Sequence, residues 1–230
     1  MFPEWLVFDI GGQVGNENFF CNFKNYNLKI IFHPNSKGQF TLFSAKMNRA
    51  VVLVEPFYDN ILRIHKAAKL ANLEKKITLI TNVLSDQRNM IIRLNPVSVG
   101  DHVGDHYFQF DEDTTDRYNV ETVFFDDIIP YLPRKEDGEK FQNAIMKIDI
   151  EGFGPTAFRN ASKLFSKIQV NIIFMEWMNL PKKTDTYKAI DDMIEFLLEY
   201  QMIPYSNSQK LDCTKWKDWP SDIIWKKEGF

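Results

Sequence analysis

The stretch from Trp5 to Gly15, WLVFDIGGQVG, constrains this chain more than any other: an apolar run as long as a buried strand leads into an acid and then a turn holding Gly11, Gly12 and Gly15. In an open α/β sheet a ligand lies beyond the carboxyl ends of the strands, and glycines there let the backbone approach it closely. The same glycines also suit a tight structural turn, so the turn alone leaves both readings open. Asp9, two residues before Gly11, adds chemistry. A carboxylate at a strand end suits a cationic or amine-bearing ligand, whereas a pyrophosphate favours backbone N–H groups and a helix N-terminus. S-adenosylmethionine, which carries an ammonium and a sulfonium, fits such a place better than NAD.

Further runs repeat the theme. Residues 51 to 54 (VVLV), 77 to 81, 144 to 150 (AIMKIDI) and 171 to 175 read as buried strands, with helices expected over 39 to 47, 59 to 71, 155 to 165 and 186 to 200. In the last of these Ile190, Met193, Ile194, Leu197 and Leu198 form one apolar stripe at helical spacing. An edge strand is expected at 120 to 125 and a short helix at 126 to 132. Tail strands near 202 to 205 and 223 to 225 suit an antiparallel edge. Strands alternating with helices predict an α/β fold with a doubly wound, mostly parallel sheet. A length of 230 residues with 44% hydrophobic side chains is enough for one such domain over 1–230.

Residues 16–38 interrupt the scheme. In a βαβ cofactor site the helix follows the glycine turn directly, and an acid closing the second strand, which holds ribose hydroxyls, follows by about 20 residues. Here that acid is Glu55, and the expected helix starts only near Gln39. Removing 16–38, which shows no helical period, restores the spacing, so the segment reads as an insertion.

A net charge of -3 gives no broad electrostatic case for nucleic acid or an anionic membrane surface. The two cysteines, Cys21 and Cys213, are too far apart in sequence for a short-spaced zinc or redox motif. No basic leader or long apolar run is present, so the chain is expected to be soluble and cytoplasmic, with no membrane segment. Asp101, His102, Asp105 and His106 have metal-ligand chemistry, but Gly100 and Gly104 oppose the helix that would converge them. A solvated or substrate-facing loop is preferred there, and no metal is expected. Trp216, Trp219 and Trp225 suit either an acceptor pocket or packing at the sheet edge.

Asp9 with its glycines, then VVLVEP, NVLSD, MKIDIEG after VETVFFDD, and IIFMEW occur in that order. In this the chain resembles the FkbM-type family of S-adenosylmethionine-dependent methyltransferases over residues 5–177. The resemblance implies a Rossmann-like class I methyltransferase sheet. It implies that Asp9, Gly11, Gly12 and Gly15 shape the methionine and ribose side of S-adenosylmethionine, that Glu55 binds the ribose hydroxyls, and that Asn82 and Ser85 lie near the adenine. Asp149, Glu151 and Glu176 then face the methyl group or its acceptor. Members of the family are mostly regarded as O-methyltransferases, so transfer to a hydroxyl of a small molecule or glycan is expected. Methyl transfer from a sulfonium needs alignment and a base near the acceptor. Asp149 is the first choice for that base, beside the alternative that it holds the cofactor or a turn. Two other classes stand next to this reading. One is a catalytically impaired relative that keeps the fold as a binding module. The other, a nicotinamide oxidoreductase, is disfavoured by the D-x-G-G-x-x-G turn and the lack of an evident Tyr/Lys proton relay.

Overall fold

The structure is a computed structural model that describes residues 5–11, 20–23, 28–31, 38–94, 108–110, 116–149, 154–177 and 187–230. The strands in chain order are β1 (Leu6–Ile10), β2 (Phe20–Phe23), β3 (Leu28–Ile31), β4 (Val51–Val54), β5 (Ile77–Ile80), β6 (Val83–Leu84) and β7 (Ile91–Leu94). They continue as β8 (Phe108–Phe110), β9 (Asn119–Val123), β10 (Asn143–Ile148), β11 (Gln169–Glu176), β12 (Met202–Ser206), β13 (Gln209–Lys210) and β14 (Asp222–Lys227). The α-helices are α1 (Gln39–Lys46), α2 (Tyr58–Leu70), α3 (Gly154–Ala157), α4 (Ser162–Lys167) and α5 (Tyr187–Glu199).

Eight strands form the main sheet in the order β13-β12-β14-β11-β10-β1-β4-β5. From β5 to β11 every pairing is parallel, while β14 and β12 run antiparallel to their neighbours. The predicted mixed sheet is the observed one. Its central strands are buried on both faces, which is why they read as nearly unbroken apolar runs: every residue of β1 and β4 is buried. Alternation then divides the side chains. Leu6, Phe8 and Ile10 join Met146, Ile148, Ile173 and Met175 in the larger core with Leu164, Phe165, Ile190 and Leu197 from α4 and α5. Val7, Val51, Ile172 and Phe174 point to the other face, under Phe40 and Ala45 of α1.

The chain enters the sheet at β1 and continues to β4 on one side, then returns to β10 on the other. The carboxyl ends of β1 and β10 therefore flank the point where strand order reverses, where open α/β sheets open a crevice for ligands.

Several expectations change in detail. The stretch 120–125 is not an edge: β9 lies inside a second, four-stranded sheet ordered β6-β9-β7-β8, because β7 and β6 pair with its two sides. The helix expected over 155–165 is three short pieces, with a 3-10 turn at Phe158–Asn160 between α3 and α4. At that turn Phe158 packs its ring against Phe125, Phe165 and Phe196. Within 16–38, expected to be unpatterned, β2 and β3 form an antiparallel pair of their own. Gly38 belongs to the helix junction. It is the N-cap of α1 at φ 75°, and a Cβ there would come within 2.4 Å of Ile64 Cγ1, so only glycine fits. The tryptophans take the packing role: Trp216, Trp219 and Trp225 are buried around Trp177, whose indole N–H donates to the Trp216 carbonyl at 2.9 Å. Among the described residues no helix is long and apolar enough to cross a membrane.

Candidate functional site

Asp9 lies on β1, one residue short of the strand's end, and is 1% exposed on the α1 face. Its Oδ2 accepts the Thr41 hydroxyl at 2.7 Å and the Thr41 backbone N–H at 3.2 Å. Thr41 is the third residue of α1, and Gly38 has no side chain to cap that helix, so Asp9 supplies the cap from the strand. This joins β1 to the start of α1 across the long intervening segment. Asp9 Oδ1 is buried and has no hydrogen-bond partner among the described residues. Burial holds the Asp9 carboxyl above its ordinary 3.8, against the opposing pull of Lys147 and Thr41. Gly11 follows at φ 78°, a left-handed conformation that favours glycine, and its N–H donates to the Val54 carbonyl at 2.8 Å. The turn is thereby tied to the end of β4.

Lys147, on β10, pairs in register with Asp9. Its ammonium donates to Asp149 Oδ2 at 2.9 Å, and Asp149 is 5% exposed with a buried Oδ1 that has no partner among the described residues. Burial pulls the Lys147 ammonium down, but Asp149, Asp9 and Glu176 together outweigh it and hold Lys147 above its ordinary 10.5. Glu176 ends β11 opposite Asp222 of β14 and is half-buried. The structure thus gathers Asp9, Asp149 and Glu176 around one lysine. Among these four groups negative charge is in excess, an arrangement that favours a cationic ligand. Sequence reasoning passed over Lys147. The signal was its own position, a charged residue on the alternate face of AIMKIDI, where Ala144, Met146 and Ile148 fill the core.

Glu55 directly follows β4 and is 3% exposed. Its Oε1 accepts the Phe57 N–H at 2.8 Å and its Oε2 accepts the Asn60 side-chain N–H at 3.2 Å, both from the start of α2. Asn82 Nδ2 donates to the Glu121 carbonyl at 3.1 Å, and Ser85 Oγ accepts the Gln87 N–H at 3.2 Å. Gly12, Gly15, Glu151 and the loop with Asp101, His102, Asp105 and His106 lie outside the described residues. Among the described residues no three His, Cys, Asp or Glu side chains are grouped to hold a metal ion.

A family model for the methyltransferase FkbM domain matches residues 9–203, from Asp9 near the end of β1 to the start of β12. The chain belongs to the FkbM methyltransferase family. Similar solved structures include the methyltransferase FkbM from Methylobacillus flagellatus KT, at 14% identity and TM-score 0.48, over 97% of this chain and 43% of that one. An rRNA methylase from Streptococcus thermophilus matches at 11% identity and TM-score 0.43, over 97% and 87% of the two chains. Precorrin-6y C5,15-methyltransferase from Geobacter metallireducens GS-15 matches at 10% identity and TM-score 0.43, over 99% and 82%. This chain therefore spans less than half of the FkbM methyltransferase it resembles. No curated protein matches it. As an FkbM methyltransferase domain, the chain carries its acid-glycine turn, its Glu55 and its Lys147–Asp149 pair at the carboxyl ends of three adjacent parallel strands, β4, β1 and β10.

Proposed function

We propose that this FkbM domain is an S-adenosylmethionine-dependent methyltransferase acting on a hydroxyl of a small molecule or glycan. The observation that carries the reading is the pair of buried carboxylate oxygens, Asp9 Oδ1 and Asp149 Oδ1, on either side of the β1/β10 switch point, neither of which has a hydrogen-bond partner among the described residues. Buried acceptors without donors are costly, and a cationic ligand with donor groups relieves that cost. The residues present therefore fit S-adenosylmethionine, with Asp9, Gly11 and Glu55 as the groups that would hold it.

When bound, the cofactor supplies a methyl group already activated by a sulfonium. The chain's own part is alignment, charge and a place for one proton. Glu55, held by Phe57 and Asn60, is the carboxylate that would receive the ribose hydroxyls. Asp149, with Oδ2 held by Lys147, presents Oδ1 as the base that takes the acceptor hydroxyl's proton. Glu176 adds negative charge on the acceptor side. With a net charge of -3, nucleic acid is not the proposed acceptor.

The experiment is a titration of Glu55→Gln, which keeps an acceptor for the Phe57 N–H and removes the charge. A carboxylate receiving ligand hydroxyls contributes roughly 1.5 to 3 kcal/mol. S-adenosylmethionine affinity is expected to fall by about tenfold or more, with the thermal midpoint little changed. Unchanged affinity in calorimetry removes Glu55 from the site.

A further inference from the structure

The amino ends of the parallel strands carry a polar cleft of about 350 Å³, within the size range of small-molecule sites. Asn143 opens β10, Gln169 opens β11, Lys167 ends α4, Lys227 ends β14 and Tyr200 follows α5, and all five line it. Asp149 follows the last residue of the same β10, so the cleft lies about 20 Å from the candidate site, at the opposite edge of the sheet. The chain has more acids than bases, yet among the described residues two lysines and no aspartate or glutamate line this cleft.

The amides of the cleft are ordered by a buried neighbour. Gln169 Nε2 donates to Asn171 Oδ1 at 2.7 Å, and Asn171 Nδ2 donates to Asn143 Oδ1 at 2.9 Å. Asn171 is 2% exposed and has both ends of its amide engaged, so it fixes the other two. A head-to-tail chain of amides presents a donor at one end and an acceptor at the other, here Asn143 Nδ2 and Gln169 Oε1. Lys227 Nζ donates to the Tyr200 carbonyl at 3.0 Å, which anchors it at the end of α5 and leaves further ammonium donors for a ligand. Capping a helix accounts for that one bond. It calls for neither the amide chain nor the exclusion of acids.

We propose that this cleft binds a phosphorylated sugar or polyol, with its phosphate on Lys167 and Lys227 and its hydroxyls on the amide chain of Asn143, Asn171 and Gln169. Ammonium groups act on a phosphate as point charges, and a hydroxyl, which both donates and accepts, matches an amide donor beside an amide acceptor. The site is separate from the crevice at the carboxyl ends of the strands and does not depend on what binds there.

The test is calorimetric titration of the full chain, at low ionic strength, with glucose 6-phosphate, glucose and inorganic phosphate. Wild type, Lys167→Gln and Asn143→Ala are compared with Lys163→Gln, an exposed lysine of α4 that does not line the cleft, and circular dichroism checks folding. Glucose 6-phosphate is expected to saturate wild type and to bind about tenfold or more tighter than either glucose or phosphate alone. Lys167→Gln weakens glucose 6-phosphate by about tenfold and leaves glucose unchanged. Asn143→Ala weakens glucose 6-phosphate by about fivefold and leaves inorganic phosphate unchanged. Lys167 is exposed, so its variant reports on the cleft even where Asn143→Ala unfolds. Lys163→Gln and saturating S-adenosylmethionine change none of these affinities. A folded wild type that glucose 6-phosphate does not saturate overturns the proposal, as does inorganic phosphate binding equally well. An unchanged affinity in Lys167→Gln, an equal loss in Lys163→Gln, or competition by S-adenosylmethionine places the binding elsewhere and overturns it too.

Discussion

Replacing Lys147 with methionine is expected to cost about 3 kcal/mol of folding stability at neutral pH, because the change leaves two buried carboxylates without the cation between them. Lys147 bonds Asp149 directly and lies in register with Asp9, and both acids are almost fully buried. The figure sits at the lower end for a broken buried pair because the Lys147 side chain is 17% exposed. The pH dependence has a definite sign. Lys147 has a folded value above its ordinary 10.5, so its contribution is fully present below 10.5 and is lost as pH rises through the raised value. Asp9 has a folded value above its ordinary 3.8, so the native state binds its proton more readily and is favoured as pH falls through that value. Without Lys147 Asp9 is pushed higher still, and the window extends upward. Denaturant unfolding should therefore show a deficit for Lys147→Met that is larger at pH 8 than at pH 5. Equal deficits at both pH values mean that lost packing, not charge, accounts for the change.

Asp149→Asn is the second large expected effect. Asparagine keeps the shape and leaves an oxygen for Lys147 to bond, but it has no basic oxygen for the acceptor's proton. Turnover should drop by about two orders of magnitude or more, with S-adenosylmethionine affinity nearly unchanged. Single-turnover transfer of a labelled methyl group, alongside a binding titration, separates the two quantities. A matched loss in affinity and turnover assigns Asp149 to holding the cofactor instead.

Much of the frame was legible because parallel strands covered on both faces must be apolar along their length. VVLV and the run before Asp9 could hardly be anything else, and the striped stretch ending at Glu199 could hardly fail to be a helix. The order of acids at strand ends was legible for a related reason: charge is excluded from those runs until the chain reaches the crevice. What the sequence hid was non-local. Asp9 stands 32 residues from Thr41, and nothing in QFTLFSAK marks that threonine as the donor that occupies half of a carboxylate on another element. Asn60 reads as an ordinary polar residue in the first turn of a helix, and its bond to Glu55 is a contact that only the folded chain makes. The β2–β3 pair was missed because four-residue strands within a polar, aromatic-rich stretch show too few periods to be recognised.

The crevice at the ends of β4, β1 and β10 is the proposed site for S-adenosylmethionine. Titration of the full chain with S-adenosylmethionine and, separately, with NAD tests it most directly. Saturable binding of S-adenosylmethionine, weakened by Glu55→Gln, is expected, and none of NAD. Saturation by NAD, or the absence of any S-adenosylmethionine binding by a folded chain, contradicts it.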